Sequence, residues 1–256
     1  MPTRLINTFT LKQAIAESGK VSLGNTKMPS TTFAIDAFAC KVGSKLAKVK
    51  GSTCEKCYAR KLQKLRPSVN QGWSNNQVKA ESLIAQDSNR WSQMLAFQIK
   101  KACAKINVLK HRWFDSGDLA SVEMLKAICD VANMTPEIDH WLPTREAKIV
   151  KDYRKIYGKE PKNLCIRISA TMVGDTPIKN HDNTSTVHTK DSAIHGKECL
   201  AYRTNIDAKI LSKEAYKTFK ALTPQAKKES GIDLGHCGDC RACWNKEVKN
   251  ISYPLH

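Results

Sequence analysis

Apolar positions recur along this chain first at helical spacing and then in short runs that alternate with helices. Thr10-Leu11-Lys12-Gln13 has the form of a capping box, which predicts a helix over 11–18 that stops at Gly19. Residues 31–38 are β-branched and aromatic, so they predict a strand that delivers Cys40 to a basic, glycine-flanked loop over 41–52. From Val78 onward, Trp91, Leu95, Ile99, Ala102, Cys103 and Ile106 share one stripe, which predicts a long amphipathic helix or a pair of helices. Then a rhythm sets in. A strand over 108–114 precedes a helix carrying Val122, Leu125, Cys129 and Ala132; a strand over 138–142 precedes a helix carrying Val150, Tyr153 and Tyr157 that ends at Gly158; and 164–169 is a further strand. Beyond it, a possible strand spans 184–189, and a helix over 212–222 is stopped by Pro224.

Alternating β and α segments with short links predict an α/β fold of mostly parallel strands with helices packed outside, a partial or complete (βα) barrel. The expected organisation is an N-terminal helical segment over 1–30, a βα core over 31–190 and a small cysteine-rich segment over 191–256. In such folds functional groups collect where strands end. The polar junctions here are Asp115-Ser116-Gly117-Asp118, Pro143-Thr144-Arg145-Glu146 and Ser169-Ala170-Thr171. Asp118 and Thr144 read equally as helix caps or as ligands.

Composition adds two constraints. At 256 residues and 41% hydrophobic the chain can build one large domain, with or without a small appendage. No apolar run approaches the roughly 20 residues of a spanning helix, and Met1 to Asn7 lacks the apolar stretch of a secretory signal. The expected location is therefore the cytoplasm, away from membranes. The net charge of +18 attracts polyanions, nucleic acid first, or else serves solubility.

A reducing compartment favours thiolate ligation over disulfides, and seven of the ten cysteines fall into two groups. Cys40 joins Cys54-Glu-Lys-Cys57; Cys199 joins Cys237-x-x-Cys240-x-x-Cys243. Three thiolates hold an iron–sulfur cluster with one iron open, whereas four close it. The triple spacing of the second group points to a 4Fe-4S cluster completed by Cys199, with a closed zinc site as the alternative. For the first group the alternative is zinc completed by a histidine such as His111 or His140. Cys103, Cys129 and Cys165 read as core thiols. Trp113 and Trp141 read as core or as base-stacking platforms. No phosphate-binding Gly-rich loop and no Gly-x-Ser-x-Gly elbow is present, which removes kinase and hydrolase readings.

The strings 39–47, Cys54-Glu55-Lys56-Cys57-Tyr58-Ala59, 112–119, 140–146 and Cys237-Gly238-Asp239-Cys240-Arg241-Ala242-Cys243-Trp244 resemble the phage gene-product-88 family, over most of the chain. A more distant likeness runs to radical S-adenosylmethionine enzymes, which place three cysteines after the first strand of a partial βα barrel. That likeness implies S-adenosylmethionine on the open iron, its amino group near Ser116, Gly117 and Asp118, its carboxylate on Arg145 or Arg167, with Thr144 at the same strand ends. It also implies a reductant as partner, nucleic acid or a nucleotide as substrate, and, for a phage protein, the host cytoplasm. The competing expectation is a non-enzymatic iron–sulfur or zinc protein that binds nucleic acid or a host partner through its basic surface.

Overall fold

The computed structural model describes residues 9–25 and 27–255. The first eight residues, including the whole stretch Met1 to Asn7 searched for a secretory signal, lie outside them. Helix α1 (Leu11–Ser18) starts at the expected capping box: the Thr10 hydroxyl accepts from Gln13 N at 3.2 Å while Gln13 accepts from Thr10 N at 2.8 Å. Strand β1 (Thr31–Phe33) is shorter than expected, because Asp36 turns the chain. Its carboxylate accepts from Phe38 N at 2.7 Å, and Ile35 N reaches instead to Ser116 O at 3.0 Å. Two short helices follow where a loop was predicted and where none was placed: α2 (Lys41–Leu46) and α3 (Tyr58–Leu65). The long helix α4 (Pro67–Ile106) is a pair across a kink at Asp87, whose backbone is extended and whose side chain caps Arg90 N at 2.9 Å.

The βα rhythm then appears as expected: β2 (Lys110–Trp113), α5 (Val122–Met134), β3 (Asp139–Thr144), α6 (Ala147–Tyr157) and β4 (Leu164–Ser169). After β5 (Thr184–His188) come β6 (Lys197–Glu198), α7 (Lys213–Ala221), α8 (Pro224–Glu229) and β7 (Asn250–Pro254). Pro224 does not only stop a helix. It opens α8, at the first position where a missing N–H costs nothing, with Thr223 as its cap.

All seven strands form one sheet in the order β1-β2-β3-β4-β5-β7-β6, and every pairing is parallel. It is an α/β fold with an open sheet. β1 and β6 are its edges, so the complete barrel among the expectations is not formed. The 191–256 segment is woven into this sheet, since β7 separates β5 from β6.

Alternation decides what each face holds. Trp113, Leu142, Leu164, Ile166 and Ile168 point to one face and join Trp91, Leu95 and Ile99 of α4 and Leu125 and Ile128 of α5 in the main core. His111 and His140 have the same parity and are fully buried there. His140 accepts from Trp113 Nε1 at 3.2 Å and pairs with the Thr135 hydroxyl at 2.7 Å; His111 Nδ1 pairs with the Thr31 hydroxyl at 2.8 Å. Burial pushes His140 down to about 3 and His111 well below the usual imidazole range. Both are neutral residues of the helix-packed core, and neither completes a metal site with the first cysteines. Trp113 is likewise core and offers no stacking face. The other face carries Arg112, Trp141 and Arg167 and is covered by the C-terminal segment.

Candidate functional site

Cys40 stands immediately before α2 and Cys57 immediately before α3, so the two helices begin at the thiols. The Cys54 loop lies along the chain that leaves β4: Thr53 N donates to Thr171 O at 2.9 Å and Val173 N to Gly51 O at 2.9 Å. This pins Cys54 over the C-terminal ends of the strands. A Cβ added at Gly43 would press on Cys40 Cβ at 3.0 Å and touch Cys40 Sγ and Cys54 Sγ, both at 3.7 Å, so the Gly43 backbone packs directly against these two thiols.

Asp118 and Arg145 stand beside these thiols. Burial pushes Cys40 up to about 12, with Asp118, Cys57 and Cys54 adding repulsion and Arg145 opposing it. The Cys54 thiol is raised by burial and by Cys57 and Asp118, again against Arg145. Cys40, Cys54 and the Asp118 carboxyl are thus disfavoured as anions where they stand, the condition in which a bound cation would have most effect on their protonation.

The strand-end residues divide by role. Asp118 is committed to the fold: Oδ1 accepts from Leu119 N at 2.8 Å and from the Thr144 hydroxyl at 2.5 Å, and Oδ2 accepts from Arg145 N at 2.9 Å. Burial holds its carboxyl above the usual range despite those bonds. Thr144 is buried as the donor to Asp118 and accepts from Glu146 N. Gly117 has φ of 85°, and a Cβ there would fall 2.2 Å from Ile35 Cγ1, so the loop after β2 must be glycine at this point. Ser116 is buried, and its hydroxyl has no partner among the described residues. Arg145 donates from Nε and Nη2 to the Thr53 hydroxyl, at 3.2 and 3.0 Å, which aims the guanidinium along the thiol loop.

Arg167 is placed differently from the expectation. It is fully buried on the second face of the sheet, and its five N–H groups go to the carbonyls of Ala242, Cys243, Asn245, Val248 and Thr184 at 2.7–3.4 Å. None remains for a carboxylate ligand. Its work is to hold the C-terminal cysteine loop. Trp244 helps: its indole donates to His111 O at 2.9 Å and its ring meets Trp141 edge-on at 5.3 Å. That contact, with Arg112 lying over the other ring at 4.8 Å, makes Trp141 a packing residue.

The second group gathers around this anchor. Cys199 N donates to Ser252 O at 2.8 Å, at the β6–β7 pairing, and Cys237 N donates to Lys27 O at 2.8 Å. Cys243 Sγ lies 3.3 Å from the Tyr253 hydroxyl. Burial pushes Cys199 up to about 11 and Cys243 to about 12; Cys237 and Cys240 add to the first, Cys199 and Cys237 to the second. Cys240 is the exposed member. Among the described residues no three His, Cys, Asp or Glu side chains form a set able to hold a metal ion, so each group is a gathering of thiols and not a closed ligand cage. Cys103, Cys129 and Cys165 are buried, as expected of core thiols.

Gly43, Thr53, Arg167 as an anchor, and Tyr253 were not legible as site residues. Arg167 did leave a signal, a lone charge inside the apolar run Leu164-Cys165-Ile166-Arg167-Ile168. A cleft of about 830 Å³ lies between α1 and α4 beside Trp73 and Lys101, and none of the cysteines lines it. No helix among the described residues is long and apolar enough to cross a membrane. No curated protein and no solved structure matches the chain. A family model matches residues 7–246, nearly the whole of the fold described above, and by that match the chain belongs to the Gene product 88 family.

Proposed function

We propose that this chain is an iron–sulfur protein of radical S-adenosylmethionine type, its sheet working as a partial (βα) barrel with an open cluster on Cys40, Cys54 and Cys57. A second 4Fe-4S cluster is assigned to Cys199, Cys237, Cys240 and Cys243. The observation that supports this reading is that the loop carrying Cys54 and Cys57 lies beside Cys40 near the C-terminal ends of parallel strands, with Cys40 and Cys54 both against Gly43; drawing the three thiols onto one cluster requires them to close together from this arrangement. A cluster on three thiolates keeps one iron open to a ligand and, when reduced, supplies an electron there.

The chain's own residues do the rest. Arg145 offsets the negative charge of the thiolates and is the residue left to hold a ligand carboxylate through its fork of N–H groups, since Arg167 is committed elsewhere. Asp118 locks the loops after β2 and β3 in register, so Ser116 and Gly117 are presented at a fixed place. Nucleic acid, or a nucleotide, is the substrate class that the +18 charge favours.

A second reading keeps the metal centres but makes them structural, with nucleic acid or a host partner bound by the basic surface. The four-thiol group favours it locally, because Arg167 and Trp244 fasten that loop to the sheet as a brace. Anaerobic purification with iron and sulfide counts, then S-adenosylmethionine binding and cleavage after reduction, decides between them. Iron at both groups, one share lost in Cys54→Ala and the other in Cys240→Ala, with cleavage lost only in the first, is the expected result. Zinc at the first group overturns the enzymatic reading, and iron without binding of S-adenosylmethionine leaves the second.

A further inference from the structure

The positive charge of this chain is not spread evenly. Residues 41–66 hold nine Lys and Arg against the single carboxylate of Glu55, so 26 of the 256 residues carry +8 of the +18. These are the residues that frame the first thiol group: α2, the Cys54 loop, Lys56 between Cys54 and Cys57, and α3. Lys45, Lys48, Lys50, Lys56, Lys61 and Lys64 are all exposed. Among the described residues none of the nine cations forms an ion pair with a carboxylate, although seven Lys and Arg elsewhere do.

Two aromatic rings stand in this basic field. Tyr58 is 61% exposed, yet its hydroxyl donates to Asp115 O in the loop after β2, so the ring is fixed by its tip while its face meets solvent. Phe38 is 42% exposed and carries the Arg60 guanidinium at 4.5 Å from its centre. A solvated basic surface has no need of a pinned, exposed tyrosine beside buried thiols. Lysines flanking fixed aromatic faces are what a polynucleotide strand with unstacked bases requires, the cations for phosphates and the rings for bases.

We propose that the surface formed by residues 38–66 is a docking face for single-stranded nucleic acid. Phosphates lie along Lys45, Lys48, Lys61 and Lys64, and a base stacks on Tyr58 at the rim of the Cys40, Cys54 and Cys57 group. This deepens the enzymatic reading by naming a single strand as its substrate and rests on that reading only for the chemistry; docking needs no metal. A duplex fits less well, because its bases are stacked on one another and leave Tyr58 without a partner.

The test is fluorescence anisotropy of the full chain with a labelled single-stranded DNA oligonucleotide and with the same sequence as a duplex, over a salt series. Reversing Lys48, Lys61 and Lys64 to Glu is expected to weaken single-strand binding tenfold or more and to make the salt dependence shallower by about two in log–log slope. The same triple reversal at the exposed Lys213, Lys217 and Lys220 of α7 changes the net charge equally and is expected to have a much smaller effect. Tyr58→Leu should weaken single-strand binding about tenfold and leave duplex binding nearly unchanged. Thermal melting of each variant confirms that it is folded. Equal loss from both triple reversals, no effect of Tyr58→Leu, or duplex bound as tightly as single strand overturns the proposal. Cys54→Ala separates the two claims: it should lose iron and keep binding, and a wild-type protein that binds as described but holds no iron would sink the enzymatic reading alone.

Discussion

The two groups of cysteines are held in opposite ways. Cys237, Cys240 and Cys243 sit on a loop fastened to the sheet by the N–H groups of Arg167 and by the Trp244 indole, and Cys199 joins them from the end of β6, where its N–H donates to Ser252 O. Cys40, Cys54 and Cys57 stand on loops that cross the ends of the strands, with charged and polar side chains facing them and a glycine packed against two of the sulfurs. A buried guanidinium spent on main-chain carbonyls gives rigidity and leaves nothing for a ligand. A guanidinium held by one threonine hydroxyl stays available. The contrast separates a group whose cation is spent on main chain from one whose cation is not.

The largest effect should come from the brace. Arg167→Met takes a donor from five buried carbonyls, of which Ala242, Asn245 and Val248 keep a second donor in Asn245 N, Val248 N and Asn183 Nδ2, so the loss is expected to be about 3–5 kcal/mol. That corresponds to a fall in Tm of about 6–20 °C by calorimetry. In the same variant alkylation followed by mass spectrometry should show Cys199, Cys237 and Cys243 reacting faster while Cys40 and Cys54 do not change. Equal acceleration at both groups would show that the two are not independently held.

Acid should act on neither group first but on the sheet between them. The unfolded chain accepts a proton on His140 near 6.5, whereas the folded core refuses it until about 3. Stability is therefore complete above the ordinary imidazole range and falls as pH drops from 6.5 toward 3, by about 1.4 kcal/mol per unit at most for one such group. His140→Asn should flatten that limb in denaturant titrations; an unchanged slope would remove His140 as its origin.

Gly43→Ala sharpens the comparison at the open group. The backbone there is helical, so alanine favours the fold by up to about 1 kcal/mol, while its Cβ presses on Cys40 and touches Cys54 Sγ. Under the proposed iron–sulfur reading, iron at the first group should fall with the second group's share and the melting temperature nearly unchanged. The smallest effect belongs to Tyr253→Phe. It removes one hydroxyl from Cys243, about 1 kcal/mol, and under the proposed reading should shift the absorption of the second cluster without releasing its metal. A shift at the first centre instead would misplace Tyr253.

Much of this architecture was readable where periodicity and capping speak directly. Thr10 announced α1, and the apolar run from Leu164 to Ser169 matched β4 residue for residue. Helix α2 was hidden because Gly43 and Ser44 suit a loop, and β7 because Asn250 and Pro254 are unusual in a strand that is paired on both sides. The structure places Cys40 near Cys54 and Cys57, and Cys199 near Cys237, Cys240 and Cys243, while among the described residues no three of these side chains form a metal-holding set. What spacing cannot carry is contact between a side chain and distant main chain: Arg167 meets carbonyls some 75 residues away, and Tyr58 meets the loop after β2, through bonds that leave no period in the sequence.

The interleaving of β7 between β5 and β6 has a consequence for synthesis. A nascent chain that has emerged from the ribosome only as far as β6 has no place to put it, because the neighbour of β6 is still some fifty residues upstream of the exit. Until then β5 presents an unpaired parallel edge, the kind of surface that recruits other strands. A pause or a chaperone acting in that interval would govern how much of the protein matures.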